Sequence, residues 1–126
     1  MSLNTLVLCI PIYLIALFRA VSPDGLKPTW TALAMSIAEH WISINNLVLD
    51  AFQTLDIEVI GLEELDQRAW YLVVANHQTW VDIVVLQTAF NRRIPLLKFF
   101  IKQELFWFPL LGIGFWALDM PFMKRY

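Results

Sequence analysis

Residues 70–82 read Trp-Tyr-Leu-Val-Val-Ala-Asn-His-Gln-Thr-Trp-Val-Asp, and this stretch decides the fold. The apolar run 70–75 predicts a buried strand, and Thr79 predicts the cap of the helix that follows. The stretch therefore places His77 and Asp82 where a strand gives way to a helix. A histidine at that position, with a carboxylate one helical turn further on, can form the base and orienting pair that activates a hydroxyl for acyl transfer.

The chain around this stretch alternates between strand and helix signals from residue 56 onward. Residues 57–60 predict a short strand, 61–68 an acidic turn, and the capped helix runs to about residue 90, because Pro95 forbids its continuation. Residues 96–101 are a further candidate strand and 103–108 a short helical turn. Residues 120–123 predict the start of another strand after a loose 112–114. This alternation indicates an α/β fold with a mainly parallel, helix-flanked sheet.

The first 55 residues have a different composition. The whole chain is 59% hydrophobic and only 16% charged over 126 residues, and the apolar excess lies mainly at its start. Residues 1–18 carry no charged side chain, and 3–21 barely supply the length of a membrane-spanning helix, with Pro11 in the middle. This helix either crosses the bilayer or lies re-entrant in one leaflet. A cleaved signal peptide is disfavoured because no Lys or Arg precedes the apolar run.

A second helix is predicted by apolar residues that recur at steps of three and four. This stripe consists of Trp30, Leu33, Ile37, Trp41, Ile44, Val48 and Phe52. The helix either packs on the domain core or lies on lipid as an interfacial helix. We therefore divide the chain into a membrane-anchoring helical segment, 1–55, and the N-terminal part of an α/β domain, 56–126.

Several function classes are excluded or disfavoured by the sequence. The net charge is −2 and no basic stripe with interleaved aromatics can be drawn, so nucleic-acid binding is not expected. No phosphate-binding P-loop or dinucleotide fingerprint occurs. Cys9 is the only cysteine, which excludes an internal disulfide and a cysteine-based zinc site. His40 is interpreted as an ordinary helix residue, and no metal is expected.

Three segments together resemble the glycerolipid acyltransferases, the family that includes 1-acylglycerol-3-phosphate O-acyltransferase. Asn76-His77 through Asp82 resembles the first family signature. The segments 101–105 and 108–112 resemble the link to the second signature, and 120–125 resembles its arginine end. The resemblance spans roughly 57–126 and is closest to bacterial inner-membrane members and to their eukaryotic relatives that act on lysophosphatidate or other lysophospholipids.

The resemblance implies a role for each matching residue. His77 takes the proton from the free glycerol hydroxyl as it attacks an acyl thioester, and Asp82 stays ionised and orients the imidazole. Asn76 either anchors the turn or helps to polarise the thioester. Arg125 holds the acceptor phosphate, because a guanidinium fork suits a phosphate.

Lys102 and Lys124 are the cations expected to assist Arg125. The competing interpretation, preferred for each single cation other than Arg125, is that it solvates a surface or attracts anionic lipid head groups. No cofactor is implied, since the acyl donor is a substrate, either acyl-coenzyme A or acyl-carrier protein. The expected partners are membrane lipids, a lysophospholipid acceptor and the thioester donor.

The chain departs from the family in one respect. A Glu-Gly-Thr-Arg type loop, the third signature, is missing from these 126 residues, as is the proline-containing fourth signature. We therefore expect an N-terminal fragment with the first half of the family's sheet, whose activity is in doubt.

The sequence also bears on the cellular location of the protein and leaves two alternative function classes open. Arg19 and Lys27 follow the first apolar segment, which favours a cytoplasmic position for the catalytic part. The resemblance to bacterial inner-membrane members implies the bacterial inner membrane. One alternative is a non-enzymatic membrane-anchored remnant or interaction protein. The other is a lipid-ester hydrolase, although no Gly-x-Ser-x-Gly nucleophile elbow is present.

Overall fold

A computed structural model of the chain describes residues 2–52, 57–108 and 111–124. The chain divides into two compact units, one formed by residues 1–41 with 98–126 and the other by residues 42–97. Within the described ranges the structure is mostly helical, with one small parallel sheet.

The first unit begins with a helical hairpin. Helix α1 (Ser2–Val21) contains Pro11 and confirms the predicted apolar helix. A short 3₁₀ turn, Asp24–Leu26, leads into α2 (Lys27–Ala51), of which residues up to 41 belong to this unit. The two indole groups of α2 donate hydrogen bonds to α1 and to the residue that directly follows it. The Nε1 of Trp30 donates to Ser22 Oγ at 2.8 Å, and that of Trp41 donates to Thr5 Oγ1 at 3.2 Å.

The buried face of α2 differs from the predicted stripe by about one position. The buried residues of α2 are Thr31, Ala34, Ala38, Ile42 and Asn45. Leu33 and Ile44 of the predicted stripe, for which packing on the core and contact with lipid were both open, are exposed. Trp30 and Ile37 of the stripe are partly buried and pack against the core of the first unit. This core combines Ile15 and Ala16 with Ala34 and Ala117.

The second half of this unit carries the sheet. Strands β1 (Ile101–Lys102) and β2 (Phe122–Met123) pair in parallel, with Ile101 opposite Phe122 and Lys102 opposite Met123. A 3₁₀ helix, Gln103–Trp107, follows β1 and confirms the predicted helical turn. Helix α4 (Leu111–Ala117) follows in turn.

Two expectations for this half were wrong in part. Residues 112–114 lie inside α4, because Gly112 is buried against the backbone of Phe106 and this close packing compensates for the poor helix propensity of glycine. The candidate strand 96–101 is reduced to its last residue. Only Ile101 finds a partner, and its N–H donates to the carbonyl of Pro121 at 2.9 Å.

The second unit contains the last turns of α2 and helix α3 (Trp80–Phe90). The N-cap of α3 is Thr79 and its C-cap is Asn91, as the sequence predicts. Two side-chain hydrogen bonds connect this helix region to α2. Thr88 Oγ1 donates to Asn46 Oδ1 at 2.9 Å, and Asn91 Nδ2 donates to Ser43 Oγ at 3.1 Å.

The strands predicted at 57–60 and 70–75 were wrong. Both segments are described, and neither pairs with a neighbour. An extended segment becomes a strand only when its backbone groups bond across a ladder, and no described segment offers one here. The α/β expectation therefore holds only for the β1–β2 pair. The functional division at residues 55 and 56 stays a prediction.

Candidate active site

The segment that leads to the candidate base is extended and exposed. Residues 70–77 form no regular element, and Trp70 at their start is 96% exposed. His77 was expected at the end of a buried strand, and it lies instead in this exposed segment, three residues before α3 begins. The segment still delivers His77 to the N-terminus of α3, because Thr79 starts that helix immediately afterwards.

Asp82 is the third residue of α3, and its carboxylate caps the N-terminus of this helix. Its Oδ2 accepts the backbone N–H of Thr79 at 2.8 Å and that of Gln78 at 2.6 Å. These two bonds, the Thr79 bond first, hold the pKa of Asp82 below its ordinary value, and the nearby His77 adds to the effect. The carboxylate is therefore ionised at neutral pH.

The same oxygen faces the imidazole. The Nδ1 of His77 lies 3.6 Å from Asp82 Oδ2, with the two side chains 62% and 34% exposed. This distance suits an ion pair but exceeds a hydrogen bond by about 0.4 Å or more. Hydrogen bonds between a general base and its orienting group are often long before substrate binds. With Nδ1–H facing the carboxylate, Nε2 is the nitrogen left to act as base.

The local order of residues explains why the pair forms. Thr79 and Asp82 have the spacing of a capping box, in which an acid three residues after the N-cap accepts the cap's own N–H. The carboxylate is thus fixed by the backbone, not by packing. This second role of Asp82 was not predicted, although the three-residue spacing of Thr79 and Asp82 indicates it.

The remaining site residues are placed separately. Asn76 is exposed and directly precedes His77, and its role stays a prediction. Lys102 ends β1 and Lys124 directly follows β2, so the parallel register brings both exposed lysines to one end of the ladder. These lysines belong to the first compact unit and His77 to the second. Arg125 lies outside the described residues.

Two other cations and the second histidine have partners. Lys98 Nζ lies 3.5 Å from Asp119 Oδ2, and Lys27 pairs with Asp24. His40 Nδ1 lies 2.7 Å from the Ser36 carbonyl on its own helix, which fits its interpretation as a helix residue. Within the described ranges, no group of three or more His, Cys, Asp or Glu side chains could hold a metal ion.

The comparisons with known proteins give one result. The family model described as Acyltransferase matches residues 56–126, which is more than half of the chain and contains every candidate site residue. No curated protein and no solved structure shows a significant match.

Proposed function

Because the chain belongs to the glycerolipid acyltransferase family, we propose that it moves a fatty acyl chain from an acyl thioester to the free hydroxyl of a lysophospholipid. The acceptor we propose is 1-acylglycerol-3-phosphate or a close relative, in phospholipid synthesis or remodelling. The observation that carries the proposal is the His77–Asp82 pair, with Nδ1 and Oδ2 3.6 Å apart and the carboxylate held by two backbone N–H groups.

The proposed reaction is a direct transfer. Nε2 of His77 takes the proton from the acceptor hydroxyl while that oxygen forms a bond to the thioester carbonyl carbon. The tetrahedral intermediate then expels the thiolate, which receives the proton from the imidazolium. Asp82 remains ionised throughout and stabilises the positive charge on the ring. No acyl-enzyme is required.

The other proposed roles concern binding. Asn76 lies next to His77 and is the candidate donor to the carbonyl oxygen on which negative charge develops. Arg125, Lys102 and Lys124 are the proposed contacts of the acceptor phosphate. The donor is acyl-coenzyme A or acyl-carrier protein, and its thiol is released as the second product.

The acceptor is a lipid, so the chain must reach a membrane. Helix α1 is the one helix in the described ranges that is long and apolar enough to cross a bilayer. One of its faces is occupied, because Ile15 and Ala16 pack in the core with Ala117 of α4. The opposite face exposes a stripe formed by Leu6, Ile10, Leu14, Leu17, Phe18 and Val21.

We propose that this stripe anchors the chain in the bilayer. Exposed apolar side chains at this density are costly in water and are favourable in lipid. Arg19 and Lys27 at the C-terminal side of α1 favour a cytoplasmic position for the catalytic part. The proposed location is therefore the cytoplasmic side of a bacterial inner membrane.

The same stripe supports a second candidate function. In a non-enzymatic membrane-anchored protein, α1 would be the functional element and His77 would be dispensable. The two candidates make opposite predictions for His77.

The test is transfer of labelled acyl chain from acyl-coenzyme A to lysophosphatidate by membranes that contain the chain, beside a His77→Ala variant. Release of free fatty acid, measured in the same reactions, detects a hydrolase. Transfer that is lost in the variant supports the proposal. No transfer by membranes that contain the folded chain refutes it and favours the anchor.

A further inference from the structure

The turn that connects α4 to β2 has an unusual residue at its centre. The N–H of Met120 donates to the Phe115 carbonyl at 3.0 Å, and that of Asp119 donates to the Trp116 carbonyl at 3.1 Å. These two bonds define a Schellman motif, in which the residue after the helix cap takes a left-handed conformation. Asp119 occupies that position with φ of 57°, where glycine is usual.

Arg19 reaches this turn from α1. Its Nη1 donates to the Trp116 carbonyl at 2.6 Å and its Nη2 to Asp119 Oδ1 at 3.2 Å. The guanidinium carbon lies 4.3 Å from the centre of the Trp116 ring, and the side chain is only 12% exposed. A cation at the C-terminus of a helix also interacts favourably with the helix dipole. Arg19 therefore caps α4 from outside.

Lys98 contacts the other oxygen of the same carboxylate, with Nζ 3.5 Å from Asp119 Oδ2. Asp119 thus bridges a cation from α1 and a cation from the segment before β1. We name Arg19, Asp119 and Lys98 the clamp. All three residues belong to the first compact unit.

The turn at Asp119 leads directly into β2, which Lys124 follows and which pairs with β1, the strand that ends in Lys102. The chain leaves the turn at Met120, and the Pro121 carbonyl then accepts the N–H of Ile101 from β1. This bond sets the register in which Lys102 lies opposite Met123, with Lys124 next along the chain. The direction in which the chain leaves α4 therefore affects the pairing that brings Lys102 and Lys124 to one end of the ladder.

We propose that the clamp positions Lys102 and Lys124 for the phosphate of the acceptor. This inference rests on the proposed function. Arg19 and Asp119 act through the β1–β2 register and are positioning residues, and Lys98 holds Asp119 instead of the phosphate. Arginine suits residue 19 because its planar fork presents N–H groups at a fixed spacing, one to a carbonyl and one to a carboxylate, whereas lysine is a single point charge.

Two substitutions of Asp119 separate the clamp from the backbone geometry. Asp119→Gly removes both ion pairs but suits the left-handed conformation better than aspartate does. Asp119→Asn keeps a side chain that tolerates this conformation and removes only the charge. If Asp119 serves only the backbone turn, both variants should have the KM of the parent for lysophosphatidate. If the clamp positions the lysines, this KM should rise in both variants, and the rise should be larger in Asp119→Gly.

The experiment titrates lysophosphatidate at saturating acyl-coenzyme A with the full chain in membranes. We expect the KM for lysophosphatidate to rise about fivefold to tenfold in Asp119→Gly and in Arg19→Met, with kcat within about twofold. Arg19→Lys should give an intermediate KM. Asp24→Asn is the matched control, because it breaks an exposed ion pair with Lys27 in the same unit, away from the ladder.

Amide hydrogen exchange of detergent-solubilised chain gives a second measurement that needs no turnover. Exchange at Ile101 should become faster in Asp119→Gly and remain unchanged at the amides of α3. An unchanged Ile101 rate, or an unchanged KM, overturns the proposal. If the parent transfers no acyl chain, the proposed function fails separately. The clamp is then tested by the exchange rate at Ile101 and by equilibrium binding of labelled lysophosphatidate. The affinity should fall about fivefold to tenfold in Asp119→Gly.

Discussion

The Oδ2 atom of Asp82 lies 3.6 Å from Nδ1 of His77 while it accepts the backbone N–H of Thr79 at 2.8 Å. One carboxylate oxygen thus both starts α3 and faces the candidate base. The arrangement ties the orientation of the base to the beginning of a helix, so the two roles of Asp82 can be separated only by variants that keep one of them.

His77→Ala should lower kcat/KM for acyl transfer by about 100-fold to 10,000-fold, because a positioned general base contributes about that much. The assay is acyl transfer to lysophosphatidate by membranes. His40→Ala is the matched control, since His40 is exposed on α2 and its Nδ1 lies against a carbonyl of its own helix. Equal losses in the two variants would contradict the assignment.

Asp82→Asn and Asp82→Ala should differ in stability but not in activity. Asparagine still offers an oxygen to the N–H groups of Gln78 and Thr79, so α3 should keep most of its helix start. Alanine offers none, so thermal unfolding followed by circular dichroism should begin earlier. Both variants lose the charge that orients His77, and both should transfer slowly. Full activity in Asp82→Asn would show that the charge is dispensable.

The stability of the chain should depend on pH through Asp82. Its folded-state pKa is lowered from 3.8 by its hydrogen bonds with Thr79 and Gln78, so the unfolded state binds the proton more readily. The stabilisation by ionised Asp82 is therefore complete when the pH is above the pKa of the unfolded state. It is lost as the pH falls through the pKa of the folded state. Urea unfolding of detergent-solubilised chain should show the parent losing its advantage over Asp82→Asn in this acidic range. A constant difference from pH 7 to pH 3 would contradict this cause.

The two glycines of α4 should respond to alanine in opposite directions. A Cβ at Gly112 would lie against the backbone carbonyl of Phe106, whereas a Cβ at Gly114 meets no atom within 4 Å. We expect Gly112→Ala to lower the free energy of unfolding by about 1–3 kcal/mol through overpacking. Gly114→Ala should raise it by about 0.5–1 kcal/mol, because alanine favours the helix. Denaturant titration of the two variants measures both effects, and the same sign in both would contradict this packing.

Membrane attachment should depend on the exposed stripe of α1. The double variant Ile10→Ser, Leu14→Ser should weaken binding to phospholipid vesicles about tenfold or more, because two apolar side chains no longer enter lipid. Cosedimentation with vesicles measures the bound fraction. Ile60→Ser is the control, since Ile60 is an exposed apolar residue outside the helices of the described chain. Equal binding by the parent and the double variant would exclude the stripe as the anchor.

The sequence was sufficient for features whose cause is local. The apolar run of α1, the 3.6-residue periodicity of α2 and the cap at Thr79 predict three helices that the structure contains. The His77–Asp82 pair is also local, because the two residues lie within a stretch of six and the Thr79–Asp82 capping box holds Asp82 at the helix start. The family resemblance rests on the same short segments, and the family match confirms it.

Tertiary structure alone decided the features that depend on residues far apart in the chain. The strands predicted at 57–60 and 70–75 did not form because hydrophobic pattern indicates only that a segment can be a strand, whereas pairing needs a partner backbone. Ile101 found its partner at Pro121, and Arg19 found Asp119, 100 residues away. The buried face of α2, which places Ala34 in the core with Ile15 and Ala117, was likewise decided by contacts between residues far apart in the chain. Sequence patterns report the preferences of each segment, and only packing between segments determines which of those preferences are met.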